Sequence, residues 1–450
     1  MVLWDNNLKD KQMKRIAIYA LLSLAVFSGC KKNNEILVDG ERPEERVAAA
    51  LTKYSDQLTD SPYGWKAYLY PNGGGGFSFY FNFTKKNRVT MYSDLDAGPA
   101  TESMESSYRL KASQTPSLVF DTYNYMHILA DPDGRVFGGD DGWGLYSDFE
   151  FNFGVQTGDT LKLTGKLLDS KLVMVRATKD EQDLYNNKGL VNSMVTSSDY
   201  IDNNSTLYVN IDGVTKVQTI FNYNQKVMTM VWNDKGVIGV AISPFVFTLK
   251  GVLLQNPLSY KGKMVSEFIW DEAKKAFYTT VDAKRVEVIS SVNPLLPLNT
   301  LIGINYNTIV LPNAASYPGW SADFVARRKA AADATQNSDY ELRLDKMAFA
   351  FNVNQKTLTL NADVYQNANK YLASYSYGYT KTAAGVYKFT FSGPNGNGSL
   401  INAEMAPLTT ERLGADQFTL DYFINPINKQ VLGQFKSVEH PDFTFSGLLQ

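Results

Sequence analysis

From Trp65 onward the chain repeats at period two. Phe77, Phe79, Phe81 and Phe83 alternate with Ser78, Tyr80 and Asn82, and Phe149, Phe151 and Phe153 alternate with Asp148, Glu150 and Asn152. Side chains on a strand point to opposite faces in turn, so each run predicts a half-buried antiparallel strand with one dry and one wet face. Similar short runs recur at 88–92, 159–164, 171–176, 206–211, 216–222, 226–232, 264–270, 341–352, 357–363, 386–392, 417–424 and 429–435, with turn residues between them. Before Trp65 the period is helical. Pro43 suits a first helical position, and Val47, Ala50, Leu51, Tyr54 and Leu58 form one apolar stripe that Ser61-Pro62-Tyr63-Gly64 stops. Two further helices are expected. Thr178-Lys179-Asp180-Glu181 is a capping box before Leu184-Tyr185 and closes the first β section near Gly189. The Ala-rich stretch 320–334, capped by Ser321 or Asp323, covers an edge or joins two sections. The pattern predicts a mostly β protein: two or three antiparallel β-sandwich or barrel-like lobes with an N-terminal helix. The expected units are 43–190 (helix plus first lobe), 191–335 (second lobe with a connecting helix) and 336–450 (C-terminal lobe).

Two internal likenesses stand out. FNYNQKVMTMVW at 221–232 matches FNVNQKTLTLNA at 351–362, and FNFTKKNRVTMY at 81–92 is a looser relative. Separately, the segment from Pro244 to Gln255 resembles that from Pro441 to Gln450, each ending in Leu-Leu-Gln. Turn chemistry alone, with Asn and Lys at turns and β-branched residues in strands, accounts for part of this. The alternative is a duplicated β unit, one copy within 195–295 and one within 336–450. On that reading 221–255 and 422–450 are equivalent.

The start of the chain carries a different signal. Lys14-Arg15 precede twelve almost apolar residues, Ile16 to Phe27, and then Ser28-Gly29-Cys30. As a helix those twelve residues reach roughly 18 Å, against a hydrocarbon core of roughly 30 Å, so they form a leader and not an anchor helix. Translation is expected from Met13, because Trp4, Asp5, Asn6, Asn7 and Asp10 fit no n-region. Residues 1–29 are thus read as a signal peptide with a misplaced start, and 30–42 as a flexible tether. The small-small-Cys ending resembles a bacterial lipobox, with Phe27 where an aliphatic residue is usual. The plainer reading is an ordinary cleaved signal with an incidental thiol. Cys30 is the only cysteine of the chain, and a lone exported thiol is an awkward leftover that lipidation explains.

Without the leader the net charge is about −4, with no basic runs, so nucleic acid is not expected as a partner. No disulfide can form. Stability must come from apolar cores, and the 27 tyrosines and 25 phenylalanines favour sheets.

Candidate chemistry is sparse. The two histidines, His127 and His440, belong to no HExxH or HxH pattern, and no G-x-S-x-G elbow offers a serine to either. His127 falls in Tyr123–Leu129, read as an aromatic strand where it is structural. Asp131, Asp133, Asp140 and Asp141 gather in a Gly-rich loop that could supply oxygen ligands to calcium. The spacing is not that of an EF-hand, and the same residues are ordinary turn vocabulary. Gly73–Gly76 precede a strand and make a flexible turn, not a phosphate loop. Tyr371, Tyr375, Tyr377 and Tyr379 form a stripe whose Tyr375 and Tyr377 could stack on a ligand or pack in the sheet. No catalytic residue and no cofactor are assigned.

The order RPEERVAAALTKYSDQL, SPYGW, GGFSFYFNF, RVTMYSD, SYRL, LVFDTYNYMHILADP and DFEFNFG resembles a family of uncharacterised Bacteroidota lipoproteins, a domain of unknown function. The resemblance extends over nearly the whole mature chain. It implies an outer-membrane lipoprotein encoded near nutrient transporters of the starch-utilisation type, with a possible transporter complex as partner. It supplies no catalytic residues. Surface-exported relatives often carry acids directly after the lipidated Cys. Here Lys31-Lys32-Asn33-Asn34 precede Glu35, which leaves periplasmic and surface faces both open.

The expected function is a non-enzymatic envelope lipoprotein that binds a nutrient, glycan or peptide, or a partner in an uptake complex. The alternatives are an envelope hydrolase with carboxylates between lobes and a structural accessory subunit. Cys30 is expected to be acylated and to be the mature N-terminus, since each buried methylene adds about 0.8 kcal/mol and several chains anchor stably. Intact mass and membrane retention of wild type and Cys30→Ala check this. Equal retention, with no lipid mass on the wild type, would sink the idea.

Overall fold

A strand with one apolar face can hide it against a second sheet or by curling the sheet on itself. This chain curls. The computed structural model describes residues 43–111, 115–204 and 206–450; the leader, Cys30 and the tether lie outside the described residues. The described strands close into three barrels of eight strands each. The first runs from Trp65–Tyr70 to Lys171–Arg176, the second from Leu207–Val209 to Lys284–Ser290, and the third from Thr308–Leu311 to Thr444–Leu449. Every strand pairs antiparallel with its successor, and the eighth returns to the first: Trp65 faces Arg176, Val209 faces Val288 and Ile309 faces Leu449. Closure leaves no sheet edge exposed. With 46% strand against 20% helix, the protein is mostly β.

Eight strands leave an interior just wide enough for side chains, and aromatics fill it. Phe79, Phe81, Phe120 and Phe151 are fully buried in the first barrel, as are Phe245, Phe268 and Phe277 in the second and Tyr375, Phe389 and Phe435 in the third. Helices stop the open ends. The Pro43–Thr59 helix stacks Tyr54 on Phe153 at 4.0 Å, and Trp65 Nε1 donates to Leu58 O at 2.9 Å. Gly64 makes the turn between them at φ +77°, where a Cβ would stand 2.5 Å from Phe81 O. In the third barrel the Ala322–Gln336 helix, capped by Ser321, stacks Phe324 on Phe445. It joins the first two strands of that barrel, so the last lobe begins at Thr308 and not at 336.

Both faces of Phe77–Thr84 are largely buried, contrary to the alternation. Tyr80, on the expected wet face, stacks at 4.7 Å on Tyr185 of the capping-box helix Lys179–Asn186. Beyond that helix a second one, Gly189–Asp202, precedes the second barrel. Its N-cap is Lys188 at φ +64° with no side-chain cap. No local signal therefore marked it; its Leu190, Val191 and Met194 pack with Tyr80, Tyr92 and Tyr185, and that contact holds it.

The joint between the first two barrels is ionic. Lys226, in the turn between the second and third strands of the second barrel, reaches into the first. Its Nζ donates to Asp94 Oδ2 at 2.7 Å and Asp94 O at 2.9 Å, between the rings of Phe77 and Phe247. Asp94 also accepts from the Ser78 and Phe247 amides. Lys226 is 6% exposed and Asp94 wholly buried. Burial pushes the ammonium below the ordinary lysine range, and Asp94 works against that.

The FNxNQK likeness has a structural basis. In each barrel it occupies the turn between the second and third strands. Asn87, Lys226 and Lys356 all end that turn at positive φ, and their carbonyls accept from Tyr108, Phe245 and Tyr379 on the fourth strand. The second likeness does not hold. Pro244–Gln255 spans the hairpin of the fourth and fifth strands, whereas Pro441–Gln450 carries the eighth strand, so 221–255 and 422–450 are not equivalent.

Removing Asp94 strands a buried cation and two amides. Asp94→Ala is expected to cost about 3–5 kcal/mol in urea unfolding. The double change Asp94→Asn with Lys226→Met is expected to lose less than Asp94→Ala alone. A loss under 1 kcal/mol for Asp94→Ala, roughly that of an exposed pair, would show that the joint does not depend on this pair.

Candidate functional site

The barrel interiors are packed with buried aromatic side chains, so the surfaces and joints are where a site is sought. Tyr375 and Tyr377 lie inside the third barrel and are fully buried. Their hydroxyls bond Gly398 O and Thr409 O, both at 3.3 Å. Burial pushes both phenols well up. They offer no open ring to stack on; Tyr371, at the strand end, is the exposed member of the stripe.

The Asp-rich loop joins the fifth and sixth strands of the first barrel and covers one end of its core through Met126, Leu129 and Phe137. Its carboxylates serve its own backbone. Asp131 accepts from the Asp133 amide and Tyr123 hydroxyl, and Asp133 caps a short turn while pairing with Arg135. Asp140 accepts from Tyr146 and Asp141 from the Gly134 amide. Among the described residues, no group of three or more His, Cys, Asp or Glu side chains is placed to hold a metal.

His127 sits in a helical turn, Tyr125–Ile128, not in a strand. Asn124 caps that turn by accepting from Met126 N. Phe149 stacks on His127 at 4.5 Å, and burial lowers its pKa. His440 Nδ1 lies 2.9 Å from Asp416 Oδ2, and Ser437 Oγ donates to that same oxygen at 2.7 Å. A serine, a histidine and an aspartate thus meet. The serine bonds the carboxylate and not the imidazole, so the arrangement is not that of an activated nucleophile.

A cleft of about 930 Å³ lies between the second and third barrels. The end of the Gly189–Asp202 helix, the Val217–Asn222 strand and Ser290–Val292 form one wall; Tyr306, Tyr422 and the turn at Asn428–Val431 form the other. Most of the lining is uncharged and able to hydrogen-bond. Gln218 points outward from its barrel because Val217 and Phe221 take the inward positions. It is 4% exposed, and its Oε1 has no hydrogen-bond partner among the described residues. Burial raises the pKa of Tyr306 and of Tyr422, so both keep the proton they can donate. Among the described residues Asp202 is the single carboxylate in the lining, and Tyr223 holds it at 3.0 Å. Sequence reasoning missed this site, since Gln218 reads as an ordinary wet-face residue and its neighbours come from segments 200 residues apart.

Fold and site together define a tandem of three up-and-down β-barrels with a polar cleft at the second joint. The chain belongs to the family named Domain of unknown function (DUF4302), whose model matches residues 40–272. The match covers the first barrel and the second through its sixth strand, and stops well short of the chain end. No curated protein matches. Two solved structures align over much of the chain at TM-scores of 0.12, too low to carry an argument. One is described as a DNA polymerase III beta subunit, from Eubacterium rectale, at 8% identity over 89% of this chain and 97% of that one. The other is transferrin binding protein B of Neisseria meningitidis, at 10% identity over 86% and 76%.

An unpaired buried acceptor costs about 1–3 kcal/mol. Gln218→Met is therefore expected to raise the unfolding free energy by about 1 kcal/mol, read from urea midpoints. A drop instead would mean that the amide is satisfied in solution.

Proposed function

We propose that this protein is a non-enzymatic envelope lipoprotein that binds a neutral, hydroxyl-rich ligand, a glycan, in the cleft between its second and third barrels. One observation carries the reading. The cleft is walled by amides, hydroxyls and two tyrosines, with the Gln218 acceptor held buried and unpaired. The amides and hydroxyls of the lining offer both donors and acceptors to a ligand rich in hydroxyls. Tyrosine rings beside amides suit sugars, which offer apolar faces as well as hydroxyls. Hydrolysis by paired acids needs two carboxylates across the bond, and this cleft is lined by one. Export, acylation at Cys30 and a place beside an outer-membrane transporter belong to the same proposal. They rest on the leader and on the family resemblance.

A second reading has its own observation. Ile238, Val240 and Ile242 lie on the outer face of the fourth strand of the second barrel and are exposed. That apolar row favours an accessory role against a partner protein.

Calorimetry against neutral oligosaccharides and peptides, with the full mature chain, tests the proposal. Tyr422→Ala is expected to weaken glycan binding about ten-fold or more, in line with about 1.4 kcal/mol for a lost stacking partner. Binding indifferent to Tyr422→Ala and Gln218→Ala, or release of shortened product, would overturn it.

A further inference from the structure

The turn that carries Lys226 occurs twice. In the second barrel Asn222 Oδ1 accepts from Gln225 N and Asn222 Nδ2 donates to Gln225 Oε1, at 3.0 and 3.1 Å. In the third, Asn352 and Gln355 make the same pair at 3.0 and 3.2 Å. Lys226 and Lys356 follow at φ +53° and +52°. Their carbonyls bond the fourth strand at Phe245 and Tyr379. Both lysines are thus projected by one rigid device.

What they meet differs. Lys226 is closed off by the side-chain carboxylate and main-chain carbonyl of Asp94, between two rings. Lys356 is exposed, and its ammonium has no hydrogen-bond or ion-pair partner among the described residues. It borders a pocket of about 500 Å³ whose walls include Val353, Tyr379, Lys381 and Tyr387 and, among the described residues, no acid. Lys381 stands two residues beyond Tyr379, as Phe247 stands beyond Phe245, and adds a second cation. Its Nζ donates to Asn299 O, in the same wall, and lies 5.4 Å from the Tyr387 ring centre, so it contributes positive charge while Lys356 is the cation left to bond. Two cations beside two rings, without a counter-charge, make a receptor for an anion on an apolar support.

We propose that the Lys356 pocket docks an aspartate of a partner polypeptide, taking its carboxylate and main-chain carbonyl as Lys226 takes those of Asp94. The chain itself supplies the precedent for that chemistry. A second copy cannot provide the acid through Asp94, which Lys226 already closes. The site is separate from the cleft, and its partner need not be the nutrient.

The probe is the blocked peptide acetyl-Phe-Asp-Phe-amide with the full mature chain, and acetyl-Phe-Asn-Phe-amide as control. Carbodiimide coupling joins a lysine amine to a carboxylate held beside it: the N–C bond forms and the carboxyl oxygen leaves on the carbodiimide as urea. Peptide mapping is expected to find the Asp peptide on Lys356 well above exposed Lys85 and Lys86, and no product with the Asn peptide. Lys356→Gln is expected to abolish that product and to weaken binding by calorimetry about ten-fold, leaving glycan binding in the cleft unchanged. Label spread evenly over exposed lysines, or equal binding by Lys356→Gln, would overturn the proposal. Displacement of the peptide by trigalacturonate at equal affinity would also overturn it, in favour of an acidic sugar.

Discussion

A buried ammonium constrains this molecule more tightly than any apolar contact. Taking a lysine out of water costs several kcal/mol unless its hydrogens find acceptors at good geometry. At the first joint Lys226 finds two acceptors on Asp94, whose carboxylate also takes two amides, one from each barrel. Apolar surfaces tolerate sliding; this arrangement does not, because a displacement of an ångström or so leaves a charge unpaired. The turn is therefore stiff, clamped by Asn222 and Gln225 and fixed to its own fourth strand. The glycines at the contact fit the same constraint. A Cβ on Gly76 would stand 2.6 Å from Phe245 O.

Closure decides where function can reside. Each barrel packs its interior with buried aromatic side chains, which leaves surfaces and joints as the places where polar groups gather. Gln218, a buried acceptor without a partner among the described residues, lies at the second joint. There Val231, Leu296 and Leu301 make a small apolar contact and the cleft opens beside it. The two joints thus differ: the first is closed by the Lys226–Asp94 pair and the amides around it, while the second leaves the Gln218 acceptor without a hydrogen-bond partner among the described residues.

The sequence by itself determined many of the strands, the capping-box helix and the mostly β class of the protein. These follow from period and from residues a few positions apart, such as Phe77 to Phe83 or Thr178 with Glu181. It also displayed the repeated FNxNQK turn, because turn geometry is encoded locally by Asn, Gln and a residue at positive φ. Only the tertiary structure decided that the lobes close as barrels, since closure depends on the eighth strand meeting the first about 110 residues away in the first barrel. It likewise decided that Tyr375 and Tyr377 are core, that Tyr80 is covered by Tyr185, and that Ser437 serves Asp416. The sharpest case is the pair of twin lysines. Lys226 and Lys356 have the same local sequence and the same backbone, yet one is buried and the other free. The difference is whether a neighbouring barrel brings a carboxylate to the turn, and no local pattern records that.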